Sequence, residues 1–81
     1  MTHKGTWAAV DKIAEIMGMT RSGFAKLCGL DATAFNLSKR WTRYGQPRWL
    51  SSQTIAKVIT TAGITDDEFC RLCQMAEQEM Q

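Results

Sequence analysis

Four times along the chain a capping residue stands between two large apolar ones, one just before it and one four positions after it. The four sets are Met19-Thr20 with Phe24, Leu30-Asp31 with Phe35, Leu50-Ser51 with Ile55, and Ile64-Thr65 with Phe69. An oxygen on the capping side chain satisfies an orphan amide of a first helical turn, and the flanking apolar pair clamps that turn. The last set adds Glu68, which completes a capping box, and the acids Asp66 and Asp67 suit the helix dipole. Before these four starts, Trp7, Val10, Ile13, Ala14 and Met17 recur at helical spacing, which predicts a first helix from near Thr6. Gly18, Gly29 and Gly63 close the first, second and fourth helices. No segment alternates as a strand between turn residues. The pattern therefore predicts an all-α fold of five short helices, over roughly residues 6–17, 21–28, 32–40, 52–62 and 66–79. The stretch from Trp41 to Leu50 is a real loop, rich in arginine and aromatic residues, and it holds the only proline, Pro47.

At 81 residues the chain has room for one domain with one modest core. No apolar run approaches the roughly 18 residues that a membrane span needs. Met1 to Gly5 lead into a polar helical pattern with no secretory core, which points to the cytoplasm. Three cysteines, Cys28, Cys70 and Cys73, are an odd number and fit a reduced compartment better than a disulfide framework.

The formal charge of +2 hides an asymmetry. Between Thr20 and Leu50, Arg21, Lys26, Lys39, Arg40, Arg43 and Arg48 face Asp31 alone. Between Ile64 and Gln81, Arg71 stands against Asp66, Asp67, Glu68, Glu77 and Glu79. A polyanion would meet the middle of the chain and avoid the tail, although an uneven solvated surface has the same composition.

The run from Arg21 to Arg40 predicts two helices meeting through a glycine-containing turn, a helix-turn-helix unit. Ala25 must be small where the second helix crosses, Gly29 permits positive φ, and Phe24, Leu30 and Phe35 fill the inside of the angle. Asp31 caps the second helix of the unit.

The chain here resembles the lambda-repressor-like helix-turn-helix family, and within it the N-terminal domains of phage-type repressors fused to a LexA-like self-cleaving peptidase. The resemblance is carried by Gly18-Met-Thr-Arg-Ser-Gly-Phe-Ala-Lys-Leu-Cys-Gly-Leu-Asp-Ala-Thr-Ala-Phe-Asn36, then Ser38-Lys39-Arg40, Pro47-Arg48-Trp49 and Ile55-Ala56-Lys57-Val58. It extends from Trp7 to about Leu72. Two positions depart from the family pattern. Ser38 stands where many members have an apolar residue, which implies a loosely packed end to the third helix, and Leu50 replaces a proline before the serine cap.

The resemblance implies a recognition helix in the major groove, with Ala32, Thr33 and Asn36 at base-contacting positions and Leu37 beside them. Thr33 can exchange a hydrogen bond or place its methyl on thymine, and Asn36 can pair with an adenine edge. Phosphate contacts fall to Thr20 and Arg21 at a helix start, to Lys39, Arg40 and Arg43 beyond the reading positions, and to Arg48. The expected activity is repression of transcription on double-stranded DNA, at a pseudo-palindromic operator read by a weak homodimer. The apolar side of the last helix, Leu72, Cys73, Met75, Ala76 and Met80, would supply part of the dimer contact or close the core. The peptidase half of the parent protein would lie outside these residues, and the end of the chain just past the fifth helix suits an isolated domain.

Other chemistry finds less support. Cys70 and Cys73 form one C-x-x-C pair inside a helix, whereas a structural zinc site wants four ligands, so no metal and no other cofactor is expected. One of the two should pack as a small apolar group and the other lie near the surface. No strand-helix-strand pattern surrounds them for a redox role. His3 falls in a terminus expected to fray, and no nucleophile-base pair is visible, so no enzymatic activity is expected. Trp41 and Trp49 flank the basic loop, where they pin it to the helices or offer a stacking platform for unpaired bases. An antitoxin-type or adaptor protein would use the same fold chiefly to hold a protein partner.

Overall fold

Thr2 starts the first helix, with its hydroxyl accepting from the Gly5 amide at 3.0 Å. Helix α1 accordingly runs His3–Ile16, a turn earlier than the apolar spacing alone predicts. Thr6, the expected start, lies inside the first turn with its buried hydroxyl donating to the Thr2 carbonyl at 2.8 Å. The computed structural model describes residues 2–79, and α1 is followed by α2 Arg21–Leu27, α3 Ser52–Ala62 and α4 Asp66–Glu79. Met80, expected on the apolar side of the last helix, lies outside the described residues.

Three of the four predicted caps act as helix caps. Thr20 accepts from Gly23, Ser51 accepts from Thr54, and Thr65 and Glu68 bond reciprocally. Gly29 takes φ 76°, and the turn it permits lets the Leu30 amide reach the Ala25 carbonyl at 2.9 Å.

The remaining cap, Asp31, does not lead into a helix, and the expected third helix over 32–40 is corrected by the structure. Asp31 accepts from the Thr33 amide at 3.3 Å, but every backbone bond that follows is a three-residue turn. Ala34 donates to Asp31, Asn36 to Thr33, Lys39 to Asn36 and Arg40 to Leu37. Asn36 is extended (φ −63°, ψ 149°), and only Leu37–Lys39 form a 3-10 turn. An α-helix would give the Phe35 carbonyl to the Lys39 amide. Here the Arg40 guanidinium takes that carbonyl instead, at 3.0 Å.

The core is built mainly by α1 and α4, with α2 packed on α1. Trp7, Val10 and Ile13 of α1 are buried with Phe24, Phe35, Val58, Phe69 and Cys73. Met17, expected on the same face as Val10, sits beyond the last turn and is 37 % exposed. Ala25 is fully buried, Leu30 packs against the core, and the Phe24 and Phe35 rings lie 5.7 Å apart. These residues pack together, but a turn follows Leu30 where the second helix of the unit was predicted, so the angle they were expected to fill is not formed. Gly5 brings α1 close to α4, since a Cβ there would lie 3.0 Å from the Cys73 carbonyl and closer still to the Glu77 side chain. The Cα radius of gyration is 11.9 Å, matching the roughly 12 Å of a folded chain this long. Among the described residues no helix is long and apolar enough to cross a membrane.

Candidate nucleic-acid interface

The segment from Asp31 to Leu50 has no α-helix, so side chains from α1 must order it. Asp11 is the centre of this arrangement. Its carboxylate accepts two bonds from Arg40, at 2.7 and 2.8 Å, and one from Arg21 Nε at 3.1 Å. Arg40 is buried, and its guanidinium also lies 4.8 Å from the Trp7 ring centre. Burial alone would raise the Asp11 pKa, but hydrogen bonds from Arg40 and Arg21, with their charges, hold it below the ordinary carboxylate range.

This overturns the expectation that Arg40 contacts phosphate. A guanidinium spent on Asp11, the Phe35 carbonyl and the Trp7 face has a structural task, and leaving that site would strip the partly buried Asp11 carboxylate of its main partner. Arg21 is half-exposed but shares Asp11. The Thr20 hydroxyl is committed to the α2 cap.

Two further ties hold the following loop. The Arg40 carbonyl accepts from His3 Nε2 at 2.7 Å and from the Arg48 amide at 2.9 Å, and the Arg48 carbonyl accepts from Trp7 Nε1 at 2.8 Å. His3 also packs against Trp41 and Trp49, with ring centres 4.7 and 5.8 Å away. Both tryptophans pin the loop through His3, yet they remain 43 % and 58 % exposed. His3 is therefore ordered, where a frayed terminus was expected. The available signal was Thr2: once it caps α1, His3 falls on the first turn, four residues before Trp7 and on the same face.

Between these ties the chain makes a narrow hairpin. Trp41 and Pro47 form an antiparallel bridge, Thr42 donates to the Gln46 carbonyl at 2.8 Å, and Gly45 turns the chain at φ 79°. At its tip the Arg43 guanidinium lies 5.0 Å from the Tyr44 ring centre and donates to Tyr44 Oη at 2.9 Å. Tyr44, which no motif in the chain singles out, is 77 % exposed.

Leu37, Lys39, Trp41, Arg43, Tyr44 and Arg48 line one open depression, and no acidic residue borders it. Lys39 and Arg48 also border the neighbouring depression against Trp49 and Leu50. Of the expected contacts, the structure gathers Leu37, Lys39, Arg43 and Arg48 here. Thr33 and Asn36 are exposed on the preceding turns, Ala32 is half-buried, and Asn36 makes no capping bond.

The cysteines separate as expected. Cys73 is fully buried and Cys70 partly so, while Cys28 is buried. Burial raises the Cys28 and Cys73 pKa values, which leaves both as weak nucleophiles at neutral pH. Among the described residues no group of three His, Cys, Asp or Glu is arranged to hold a metal ion. No family model, no curated protein and no solved structure matches this chain.

Proposed function

We propose that this chain is a sequence-specific double-stranded DNA-binding regulator, a repressor that meets a pseudo-palindromic operator as a weak homodimer. The observation that carries the reading is the depression between Leu37 and Arg48, where three cations meet two exposed aromatic rings with no acid beside them. Such a surface suits a phosphate backbone. Lys39, Arg43 and Arg48 then hold phosphates, with Arg21 contributing as far as Asp11 allows.

On this reading bases are met by Thr33 and Asn36, with Leu37 and Ala32 offering apolar contact. They are presented from successive turns, so binding should leave the far-ultraviolet circular dichroism unchanged. A rise on adding duplex would mean that the 32–40 segment winds into a helix on DNA, at an ordering cost that weakens affinity.

The test is selection of sites from random duplexes at near-physiological salt, followed by titration of the recovered sequence. A two-fold symmetric motif with half-sites about one helical turn apart supports the dimeric reading. Asn36→Ala should then lose about 1–3 kcal/mol on the selected site and little on random duplex. Lys39→Ala should weaken all duplexes alike and flatten the salt dependence. Absence of any duplex binding would overturn the proposal.

A second reading, an antitoxin-type or adaptor protein, is favoured by the cleft between α1 and α4. Its lining includes Ala8, Leu72 and the half-exposed Met75 beside Asp11, Glu15 and Glu79. Substituting Met75 would then abolish partner binding and spare DNA.

A further inference from the structure

The geometry points to the hairpin tip as a second DNA contact, in which Arg43 enters the minor groove of A·T-rich duplex beside the segment that meets the bases. The inference rests on the duplex-binding reading and adds to it a groove and a base preference, moving Arg43 from a phosphate to the groove floor and leaving the phosphates to Lys39 and Arg48.

The hairpin itself is too broad to enter. Two paired strands lie about 5 Å apart before side chains are counted, and the minor groove is only about 6 Å wide. A single side chain projecting from the tip does fit. Gly45 closes the turn at φ 79°, which sets Arg43 and Tyr44 at its apex, both exposed. The two are already arranged for the task. Tyr44 holds the Arg43 guanidinium through its ring face and its hydroxyl oxygen, so less side-chain freedom remains to be lost on binding.

The chemistry of the tip selects the groove. A guanidinium offers donors alone, and a minor groove of A·T pairs presents acceptors alone, adenine N3 and thymine O2. A G·C pair adds the guanine amino group, a donor that would face Arg43 with a donor. A narrow A·T minor groove also has the stronger negative potential. Lys39 and Arg48, which border the same depression, supply cations for phosphates flanking the groove. Asp31, the nearest acid in the basic stretch of sequence, is absent from the residues that line it.

The test uses the full chain with three duplexes of equal length at one salt concentration. One carries an A·T block, one a G·C block, and one an inosine·C block, which lacks the guanine amino group but keeps the G·C pattern of the major groove. Fluorescence anisotropy should show the A·T and inosine duplexes bound alike and both at least fivefold tighter than G·C. Arg43→Ala should bring the three affinities together. Arg43→Lys, which keeps the charge without the planar fork, should retain affinity but lose most of the preference. Tyr44→Phe should reduce the preference in part. Arg43 touches no core residue, so unchanged circular dichroism will show that these variants fold.

Equal wild-type affinities, or an inosine duplex that behaves as G·C, would overturn the inference. A preference that survives in Arg43→Ala would also overturn it. In those cases recovery of a selected operator leaves the duplex-binding reading standing, whereas absence of binding to all three duplexes overturns both.

Discussion

The α1–α4 pair and the 31–50 segment are ordered by opposite means. The helices hold each other through a distributed apolar contact in which Val10, Ile13, Phe69 and Cys73 each contribute part. The segment has no α-helix; Phe35, Ala34 and Leu50 anchor it to the core, and the rest depends on a few polar ties to α1. Asp11 holds the Arg40 side chain, His3 holds its carbonyl, and Trp7 holds the Arg48 carbonyl. The difference teaches where a substitution should act. Loss of an apolar contact in the frame lowers the whole unfolding free energy, whereas loss of one tie frees a local piece that carries the candidate interface.

The largest expected effect breaks the frame. Phe69→Ala removes a fully buried ring and should cost about 3–5 kcal/mol. In denaturant titrations followed by hydrogen exchange, loop and helix amides should lose protection together.

Next comes Arg40→Met, which keeps much of the volume but removes every polar tie of the side chain. It should cost about 2–4 kcal/mol, and exchange at the Thr42 and Arg48 amides should rise before that of α1. Uniform loss across the molecule would erase the proposed division between frame and segment.

Smaller still is Trp7→Phe, which deletes the indole donor to Arg48 and weakens the stacking on Arg40. A loss of about 1–2 kcal/mol is expected, with the loop again affected first. Tryptophan fluorescence then reports Trp41 and Trp49 alone, and a red shift would mark their release from His3.

The smallest effect is a pH dependence. The folded Asp11 pKa is depressed, so its contribution is fully present above the unfolded value of about 3.9 and is lost as pH falls through the folded value. The stability difference between wild type and Asp11→Asn should therefore be constant near neutrality and shrink on acidification below about pH 4. A difference that stays constant down to pH 2 would show that the carboxylate is not held by its arginine partners.

How much of this was legible in the chain follows from the range of the forces involved. The helices over 52–62 and 66–79 were readable because cap, staple and apolar period agree within one short window. Over 31–40 the same local signals are present, and they correctly place Phe35 in the core. They fail for the backbone because Arg40 finds its partner 29 residues away, a distance no local pattern encodes. The same blindness assigned Arg40 to phosphate, since a buried arginine and a solvent-facing one are identical letters. Lys39, Arg43 and Arg48 were named as cations of a basic loop, and the structure brings those three to one depression. Their alignment with Tyr44 depends on a hairpin turn that composition alone could not orient.

The sequence by itself determined the all-α class, the starts of α2, α3 and α4, the buried aromatic positions and the separation of basic middle from acidic tail. Each follows from short-range physics: capping, helical periodicity and the count of charges along the chain. Only the tertiary structure decided that the 32–40 segment is a series of turns, that Arg40 faces inward and that Arg43 and Tyr44 face outward together. Those outcomes turn on Asp11, His3 and Trp7, which reach the segment only after α1 has folded beside it.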